Sequence, residues 1–183
     1  MIYPVPAVMV SCGSEPSEYN IITVAWTGTI CTEPAMCYIS VRPSRHSYAI
    51  IRKNGEYVIN LTTKTLAYAT DWCGVRSGGK YNKFARMNLT PVPASRIKAP
   101  MIKESPVNIE CTVREIKELG THHMFISEVV AINVNEEYFD DKTGKFKLYN
   151  TGLLSYLHGS YYETGKLIGK FGFSVARKKK KRR

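Results

Sequence analysis

Short runs of apolar, β-branched and aromatic residues, bounded by turn-forming residues, recur along this chain of 183 residues. Such runs predict β-strands. In one of them, Val107, Ile109, Cys111 and Val113 alternate with polar residues, which is typical of an antiparallel strand with one face on a core. The pattern predicts six strands, at residues 6–12, 21–26, 36–41, 56–61, 107–116 and 124–134.

Two other segments carry apolar residues at helical spacing. The first follows Ser44, which is the predicted N-cap, and ends at Asn54-Gly55. The second stops near Gly74 and carries its apolar residues at Leu66, Ala69, Trp72 and Cys73. Residues 80–87 allow a further short helix, and the sequence Asp-Asp-Lys-Thr-Gly at 140–144 predicts a surface turn.

Six short strands with few helices predict a mainly β fold, closed into a barrel rather than built as a doubly wound sheet. A chain of 183 residues with 44% apolar residues is sufficient for one domain with a sizeable core. We expect this domain to span residues 1–176. Residues 177–183 are expected to form a separate basic tail.

The formal net charge of +11 comes mostly from that tail, because all seven residues at 177–183 are Lys or Arg. Without them the chain has 19 basic and 15 acidic side chains, a balance of +4. Like charges at this density repel one another and cannot be buried, so a disordered, solvated end is expected. The alternative is a functional contact with nucleic acid or a membrane surface, which for nucleic acid would lack sequence preference.

Five cysteines, an odd number with no CxxC pair, favour reduced thiols over a disulfide framework or a zinc site. No run of residues is long and apolar enough to predict a membrane span. The first twelve residues lack the basic start and the long apolar run of a signal peptide. The sequence therefore predicts a cytoplasmic protein without a metal.

The most informative segment is residues 20–48, where two predicted strands are joined by a polar loop containing Thr-Gly-Thr and Glu-Pro. The sequence Arg-Pro-Ser-Arg-His-Ser follows the second strand and leads into the first predicted helix. A helix N-terminus offers unpaired N–H groups and the positive end of a dipole, and two arginines and two hydroxyls accompany it here. The segment therefore predicts an anion site.

The order of motifs along nearly the whole chain resembles the flavin reductase-like family, which binds FMN on a split β-barrel, and in particular its flavoredoxin-like members. The resemblance implies the same barrel and the same cofactor for this chain. The matching motifs are NIITVAWTGTI, YISVRPSRHSY, GEYVINL, TDWCGVRSG with KYNKF, PVNIECTV, LGTHHMFISEVV, and HGSYY with GKFGFSV.

An FMN phosphate needs fixed positive charge and hydroxyl or N–H donors. The residues predicted to bind the phosphate are Arg42, Ser44, Arg45, Ser47 and, from another element, Lys83. The alternative for the arginines is an exposed helix start without a ligand, and the alternative for Lys83 is an ordinary surface lysine.

By the same resemblance, residues 26–31 match the loop that meets the flavin edge in the family. This set comprises Trp26, Thr27, Gly28, Thr29, Ile30 and Cys31, with Asn20 as an amide donor. Gly28 would permit close backbone approach to the ring. The alternative to a flavin contact is a position in the core for Trp26, and the role of a small buried hydrophobic residue for Cys31.

Histidines complete the predicted flavin site. His122 coincides with the histidine of the family's Gly-polar-His signature. Neighbouring residues on a strand face opposite sides, so we expect His122 to face the flavin and His123 to face away. His158 and Tyr161 match a C-terminal segment that packs near the cofactor in the family, in some cases across a dimer interface.

No residue resembles a nucleophile with its base, and hydride transfer to a flavin needs neither. No GxGxxG motif follows a strand, so NAD(P)H is expected to bind only transiently, over the flavin. The leading function is an NAD(P)H-dependent flavin oxidoreductase, as a homodimer. The alternatives are a flavoredoxin-like electron carrier fed by a protein partner, and a non-catalytic binding module that uses the basic tail.

Overall fold

The computed structural model describes residues 2–175, so the predicted basic tail lies outside the described residues. Most of the chain forms strands, as predicted. The strands are β1 (Val5–Pro6), β2 (Val8–Cys12), β3 (Asn20–Val24), β4 (Thr27–Thr32), β5 (Ala35–Val41), β6 (Glu56–Leu61), β7 (Pro91–Val92), β8 (Met101–Ile102), β9 (Val107–Leu119), β10 (His122–Val134), β11 (Leu154–Leu157) and β12 (Ser160–Glu163). The helices are α1 (His46–Asn54), α2 (Ala67–Val75) and α3 (Lys83–Arg86), with 3-10 turns at Lys64–Leu66, Glu136–Tyr138, Leu148–Asn150 and Phe173–Val175.

Seven strands form one antiparallel sheet in the order β3-β2-β6-β9-β10-β5-β4. The two longest strands, β9 and β10, pair along 13 residues each, with register shifts after Ile126 and Val129. Such irregularities bend a strand and increase its twist. The sheet curls until β3 contacts β5, although four strands separate them in the sheet. The result is a barrel that is closed partly by packing rather than by a complete ladder.

The inside of the barrel is the main core. It is filled by alternate residues of six strands, with Tyr48 and Ile51 of α1 covering one end. The buried side chains include Val8, Val10, Ile22, Ile39, Tyr57, Ile59 and Phe125. Because one face of each strand points inward, the period of two in the sequence is the signal of this core.

A second, smaller core lies outside the barrel wall. Met9 and Ile21 point away from the barrel interior. They pack against Leu66 in the 3-10 turn before α2, Cys73 of α2 and Phe84 of α3. All five residues of β2 are buried because both faces of this strand are covered. Because α2 packs in this layer, the residues that follow it lie at the same end of the barrel as the start of α1.

Most predicted elements are present, with shifted ends. Strand 56–61 is as predicted, and α1 ends as predicted at Gly55, whose backbone is left-handed with φ 69°. The turn at 140–144 is also confirmed, since Asp140 accepts hydrogen bonds from the backbone of residues 142 and 143. The predicted strand 6–12 is interrupted at Ala7. Strands β9 and β10 are longer than the strands predicted at 107–116 and 124–134.

Two local predictions were wrong. The polar loop predicted between the first two site strands is strand β4, where Thr27 donates its hydroxyl to the Tyr38 carbonyl at 2.6 Å. Ser44 is not the N-cap of α1: Arg45 occupies that position, with extended backbone and no side-chain capping bond. The turn between Arg42 and Arg45, closed by a backbone bond of 3.0 Å, moves the helix start one residue later.

A hairpin of β11 and β12 was not predicted. It pairs with β1 to form a separate three-stranded sheet beside the barrel. No helix within residues 2–175 is long and apolar enough to cross a membrane.

Candidate functional site

A basic cavity of about 320 Å³ lies at the end of the barrel where α1 begins. Four separate parts of the chain form its walls: the start of β3, the turn between β5 and α1, the segment after α2, and α3. Its lining residues are Asn20, Ile22, Arg42, Ser44, Arg45, His46, Ser47, Cys73, Gly74, Arg76, Ser77, Gly78 and Lys83. The fold therefore brings together the whole phosphate set predicted from the sequence, along with Asn20.

Positive charge dominates this basic cavity. Arg42, Arg45, Arg76 and Lys83 line it, and no lining residue is acidic. Within residues 2–175, the ion pairs involve other side chains, so none of these four cations has a carboxylate within 4.0 Å. Four unpaired cations around one concave space form a site suited to an anion with several oxygens.

Lys83 differs from the arginines because it is almost completely buried, with 3% of its surface exposed. Its Nζ donates to the carbonyls of Ile21 and Cys73, each at 2.6 Å. Burial lowers the pKa of Lys83 to about 8, with a smaller lowering by Arg45, while the nearby thiols of Cys73 and Cys12 raise it. Two carbonyls hold this ammonium group at the wall of the cavity, and no carboxylate among residues 2–175 lies within 4.0 Å of it.

The N-terminus of α1 contributes backbone donors to the cavity. The first N–H groups of a helix have no partner within the helix, and here the N-cap residue Arg45 and the first helical residues, His46 and Ser47, line the cavity. Ser44 is exposed on the preceding turn, whereas Ser47 is buried and accepts a hydrogen bond of 2.7 Å from Asn20 Nδ2. Asn20 therefore positions the Ser47 hydroxyl.

Gly78 makes this arrangement possible. A Cβ atom at position 78 would lie 2.0 Å from Oδ1 of Asn20, which is far inside van der Waals contact. Any side chain there would displace Asn20 and break its bond to Ser47. Gly78 and the neighbouring Arg76 and Ser77 were part of a quoted motif but were not predicted as site residues. The available signal was a cation followed by Ser-Gly-Gly immediately after a helix.

A smaller cavity of about 140 Å³ adjoins the basic cavity and shares Ile22, Arg42 and Arg45 with it. We call it the ring cavity. Its other walls are Thr23, Val24, Ala25, Trp26, Ser40, Val41 and His122. The backbone at residues 23–26 runs along one wall, where Trp26 accepts a backbone bond of 2.8 Å from Ser40.

The two neighbouring histidines face opposite sides of β10. His122 faces the ring cavity, where burial and the charges of Arg42 and Arg45 lower its pKa, so the neutral imidazole predominates near pH 7. His123 instead packs inside the barrel end, with its Nδ1 at 2.8 Å from the Tyr48 hydroxyl. Of these two histidines, only His122 therefore faces the ring cavity.

The residues predicted for the flavin edge are only partly brought together. Trp26 lines the ring cavity, but residues 27–31 line neither the basic cavity nor the ring cavity. They form β4, at the edge of the sheet, with Ile30 47% exposed and Cys31 donating to the Glu33 carbonyl at 3.3 Å. Gly28 packs against the Tyr38 ring. A Cβ atom on residue 28 would lie 3.1 Å from Cε1 of that ring, so this glycine has a packing role.

A third cavity, of about 330 Å³, shares Thr23, Ala25 and Trp26 with the ring cavity and is also lined by Tyr156 and Tyr161. We call it the aromatic cavity. The Tyr161 hydroxyl donates to Asp71 at 3.2 Å, and burial with the Asp71 charge raises the Tyr161 pKa to about 12. His158 is in the β11–β12 turn, with its ring centroid 4.7 Å from that of Tyr3, and does not line this cavity.

Comparisons with known proteins identify the family and the fold of this chain. The sequence profile described as "Flavin reductase like domain" matches residues 1–165. The structure is similar to flavoredoxin of Desulfovibrio vulgaris (Miyazaki F), with TM-score 0.88 and 28% identity over 96% of this chain and 95% of that chain. It is also similar to a protein from Shewanella frigidimarina described as a flavin reductase with a split barrel domain, with TM-score 0.80 and 21% identity over 91% and 85% of the two chains.

Among curated sequences, FMN reductase (NADH) RutF of Agrobacterium fabrum is 24% identical over 107 residues, which are 58% of this chain and 59% of that protein. The structural matches confirm the split β-barrel that the motif order predicted. Because the family profile covers most of the chain, this protein belongs to the flavin reductase like domain family.

Proposed function

We propose that this protein binds FMN across the basic cavity and the ring cavity, with the phosphate in the basic cavity. The observation that carries the proposal is the set of four cations, Arg42, Arg45, Arg76 and Lys83, which line one concave space without an acidic partner. Helix α1 begins at the same place and adds N–H donors for the phosphate oxygens. Family membership supports a flavin as the ligand of this site.

The isoalloxazine ring would lie in the ring cavity, along residues 23–26 and beside His122. Backbone groups of these residues and the neutral imidazole would supply hydrogen bonds to the ring edge, while Ile22 and Trp26, which line the cavity, would supply apolar contact. When bound, FMN supplies the chemistry, since it accepts a hydride or single electrons and passes them on. The protein contributes binding, orientation and the electrostatic environment, and no protein acid or base is required for hydride transfer.

We propose that the electrons come from NADH or NADPH, which makes the protein an NAD(P)H-dependent flavin oxidoreductase. The similar protein RutF is named as an FMN reductase that uses NADH. The aromatic cavity beside Trp26 offers space next to the ring cavity for a transient donor. A flavoredoxin-like carrier fed by a protein partner is the second candidate, and the similarity to the Desulfovibrio flavoredoxin favours it.

The experiment that tests these functions is an anaerobic titration of the purified protein loaded with FMN. Loss of the yellow flavin absorbance within seconds of adding NADH or NADPH is the result expected for the oxidoreductase. A flavin that stays oxidised with both nucleotides, but is reduced by dithionite, would support the electron carrier. If the protein binds no FMN when FMN is supplied in excess, both proposed functions are overturned.

We further propose a homodimer. The C-terminal part of the described chain exposes large apolar side chains, with Leu167 78% and Ile168 95% exposed. Together with Leu148, Tyr149, Leu153 and residues 164–166, they line an apolar groove of about 580 Å³. Contiguous apolar surface of this kind is typical of a protein interface. A second copy of this chain would cover it.

A further inference from the structure

The aromatic cavity and the basic cavity have opposite charge, although both are lined by Gly74. Asp71 lines the aromatic cavity, and no Lys, Arg or His of residues 2–175 does so. The one charged side chain of this space is therefore a carboxylate, where the basic cavity has four cations.

Half-buried aromatic residues make up much of the wall of this cavity. Trp26 lies where the cavity meets the ring cavity, and Tyr156 of β11 and Tyr161 of β12 pack with their ring centroids 5.5 Å apart. Tyr3 does not line the cavity but supports it, since its ring centroid is 6.3 Å from that of Trp26 and 6.5 Å from that of Tyr156. The aromatic surface is therefore held in place by packing within the chain.

The carboxylate of Asp71 is bound to one of these aromatic residues and to no cation. Its Oδ1 accepts the hydrogen bond from the Tyr161 hydroxyl at 3.2 Å. No basic nitrogen among residues 2–175 lies within 4.0 Å of it. Because the pKa of Tyr161 is raised to about 12, this hydroxyl stays protonated near neutral pH and remains a donor to Asp71.

Aromatic faces and a carboxylate both attract an organic cation. The π-electrons of Trp and Tyr rings make their faces negative, so a cation placed over them is stabilised. The charge of Asp71 adds direct attraction. A flat cation also stacks on the rings, whereas a flat anion would stack on them but be repelled by the carboxylate.

We propose that the aromatic cavity binds a planar organic cation, and that such a cation accepts electrons from the flavin. This inference rests on the proposed function, because it places the flavin ring in the ring cavity. The two cavities share Thr23, Ala25 and Trp26, so a ligand of the aromatic cavity would lie beside that ring. The donor uses the same space earlier in the cycle, and the two therefore bind in turn.

The electron transfer is a hydride transfer. The N5–H bond of the anionic reduced flavin breaks, and the hydrogen with its electron pair forms a bond to a ring nitrogen of the cation. The flavin is left oxidised and neutral, and the acceptor is left reduced and neutral. The reduced acceptor is no longer attracted by the charge of Asp71, so it leaves more easily than the oxidised acceptor.

The test uses two planar dyes of opposite charge, methylene blue as the cation and 2,6-dichlorophenolindophenol as the anion. Binding of each dye to the full chain loaded with FMN is measured by calorimetry near neutral pH. Asp71→Asn should weaken methylene blue at least about fivefold and change the anionic dye less than about twofold, because the charge is lost while the shape is kept. Tyr156→Leu should weaken methylene blue at least about threefold.

The controls separate this effect from unfolding and from surface charge. Neither Asp71 nor Tyr156 lines the basic cavity or the ring cavity, so unchanged FMN affinity shows that each variant is folded. Asp141→Asn removes an exposed carboxylate outside the aromatic cavity and should leave both dyes unaffected. In stopped flow with photochemically reduced protein, the second-order rate of methylene blue reduction should fall in Asp71→Asn by the same factor as the affinity.

Three results would overturn the inference while leaving the proposed function intact. Methylene blue could fail to bind the FMN-loaded protein. Asp71→Asn could leave its affinity unchanged. The same variant could also weaken both dyes equally, which would show that charge is not recognised. If the protein binds no FMN, the proposed function fails, and titration of the ligand-free protein with the two dyes still decides whether the cavity selects a cation.

Discussion

The basic cavity and the apolar C-terminal surface present opposite chemistry. The cavity is assembled entirely within one chain, from four elements whose side chains and backbone already point at a common space. The C-terminal surface exposes Leu167, Ile168 and Phe171, and nothing in the described chain covers them. The first region presents positive charge in a concave space, and the second presents apolar side chains on an open surface. Under the proposed function, the first region would bind the flavin phosphate and the second would be covered by a second copy of the chain.

The strongest test of the self-contained cavity is removal of two of its cations. Charge-assisted bonds contribute about 1.5–3 kcal/mol each, so Arg42→Ala with Arg45→Ala should weaken FMN on the order of a hundredfold or more. Arg45→Ala alone should weaken it at least about tenfold. Riboflavin, which lacks the phosphate, should be little affected. Both ligands are measured by titration of flavin fluorescence.

Arg86→Ala is the matched control, because Arg86 is an exposed arginine on α3 and does not line the basic cavity. Equal losses of FMN and riboflavin affinity in the double variant would contradict the assignment of the phosphate to this cavity.

A charged substitution at Ile168, the most exposed aliphatic residue of the apolar C-terminal surface, tests the proposed homodimer. Ile168→Glu should weaken the homodimer at least about tenfold, since an unpaired carboxylate in an apolar interface must be desolvated. Sedimentation velocity over a range of concentrations measures the change. Ile132→Glu, at a site that is 60% exposed on β10, is the control and should leave the dimer intact. A wild-type protein that stays monomeric at all concentrations would show that the surface has another role.

A pH titration examines whether the buried cation of the cavity contributes to anion binding. Lys83, with a pKa of about 8, is charged below that pH and neutral above it. FMN affinity should therefore fall between about pH 7 and 9.5, by up to about tenfold, while riboflavin affinity stays level. Lys83→Met should remove this slope. A wild-type FMN affinity that is constant over the range would mean that Lys83 does not contact the phosphate.

Lys83 should also make stability depend on pH, in the opposite direction to FMN affinity: stability should rise with pH where affinity falls. Its folded pKa lies below the usual 10.5, so unfolding takes up a proton between about pH 8 and 10.5. The contribution of Lys83 to the free energy of unfolding of the ligand-free protein therefore rises across that window. Urea unfolding of wild type and Lys83→Met at both ends of the window measures the difference.

The smallest expected effect belongs to the histidines of β10. His122→Ala should lower FMN affinity or the flavin reduction potential by a small, measurable amount, because it removes one hydrogen-bond donor beside the ring. His123→Ala should change neither, since this ring packs against Tyr48. The lowered pKa of His122 also means that its protonation affects the potential only below about pH 6.5. Identical behaviour of the two variants would show that the two faces are wrongly assigned.

Sequence patterns predicted the barrel well because most of its strands are short runs of apolar, β-branched and aromatic residues, several of them buried on both faces. They failed at β4, an edge strand with little buried surface, whose residues are polar or exposed on both faces and carry no period of two. They also missed β11 and β12, although the alternation around His158-Gly159 was a usable hairpin signal. Both turn residues have positive φ, 47° and 86°, as a tight hairpin turn requires.

The candidate site was predictable where its residues are adjacent in the chain. Arg42, Ser44, Arg45 and Ser47 all come from one turn and the helix after it, so a local motif identifies them. Arg76 reaches the same cavity from the segment after α2, and no local pattern shows that the two segments meet. The burial of Lys83 was equally hidden, because lysines are rarely buried and its partners are two backbone carbonyls from distant elements.

The absence of carboxylates from the basic cavity also affects the rate at which ligands arrive. A concave space lined by one sign of charge attracts ions of the opposite sign from a distance and raises their association rate, increasingly so at low ionic strength. Salt should therefore slow the capture of a phosphorylated flavin more than that of riboflavin. A cavity formed before its ligand arrives also requires little rearrangement on encounter. Differences in affinity among phosphorylated ligands at one salt concentration should then appear mainly in how long each stays bound.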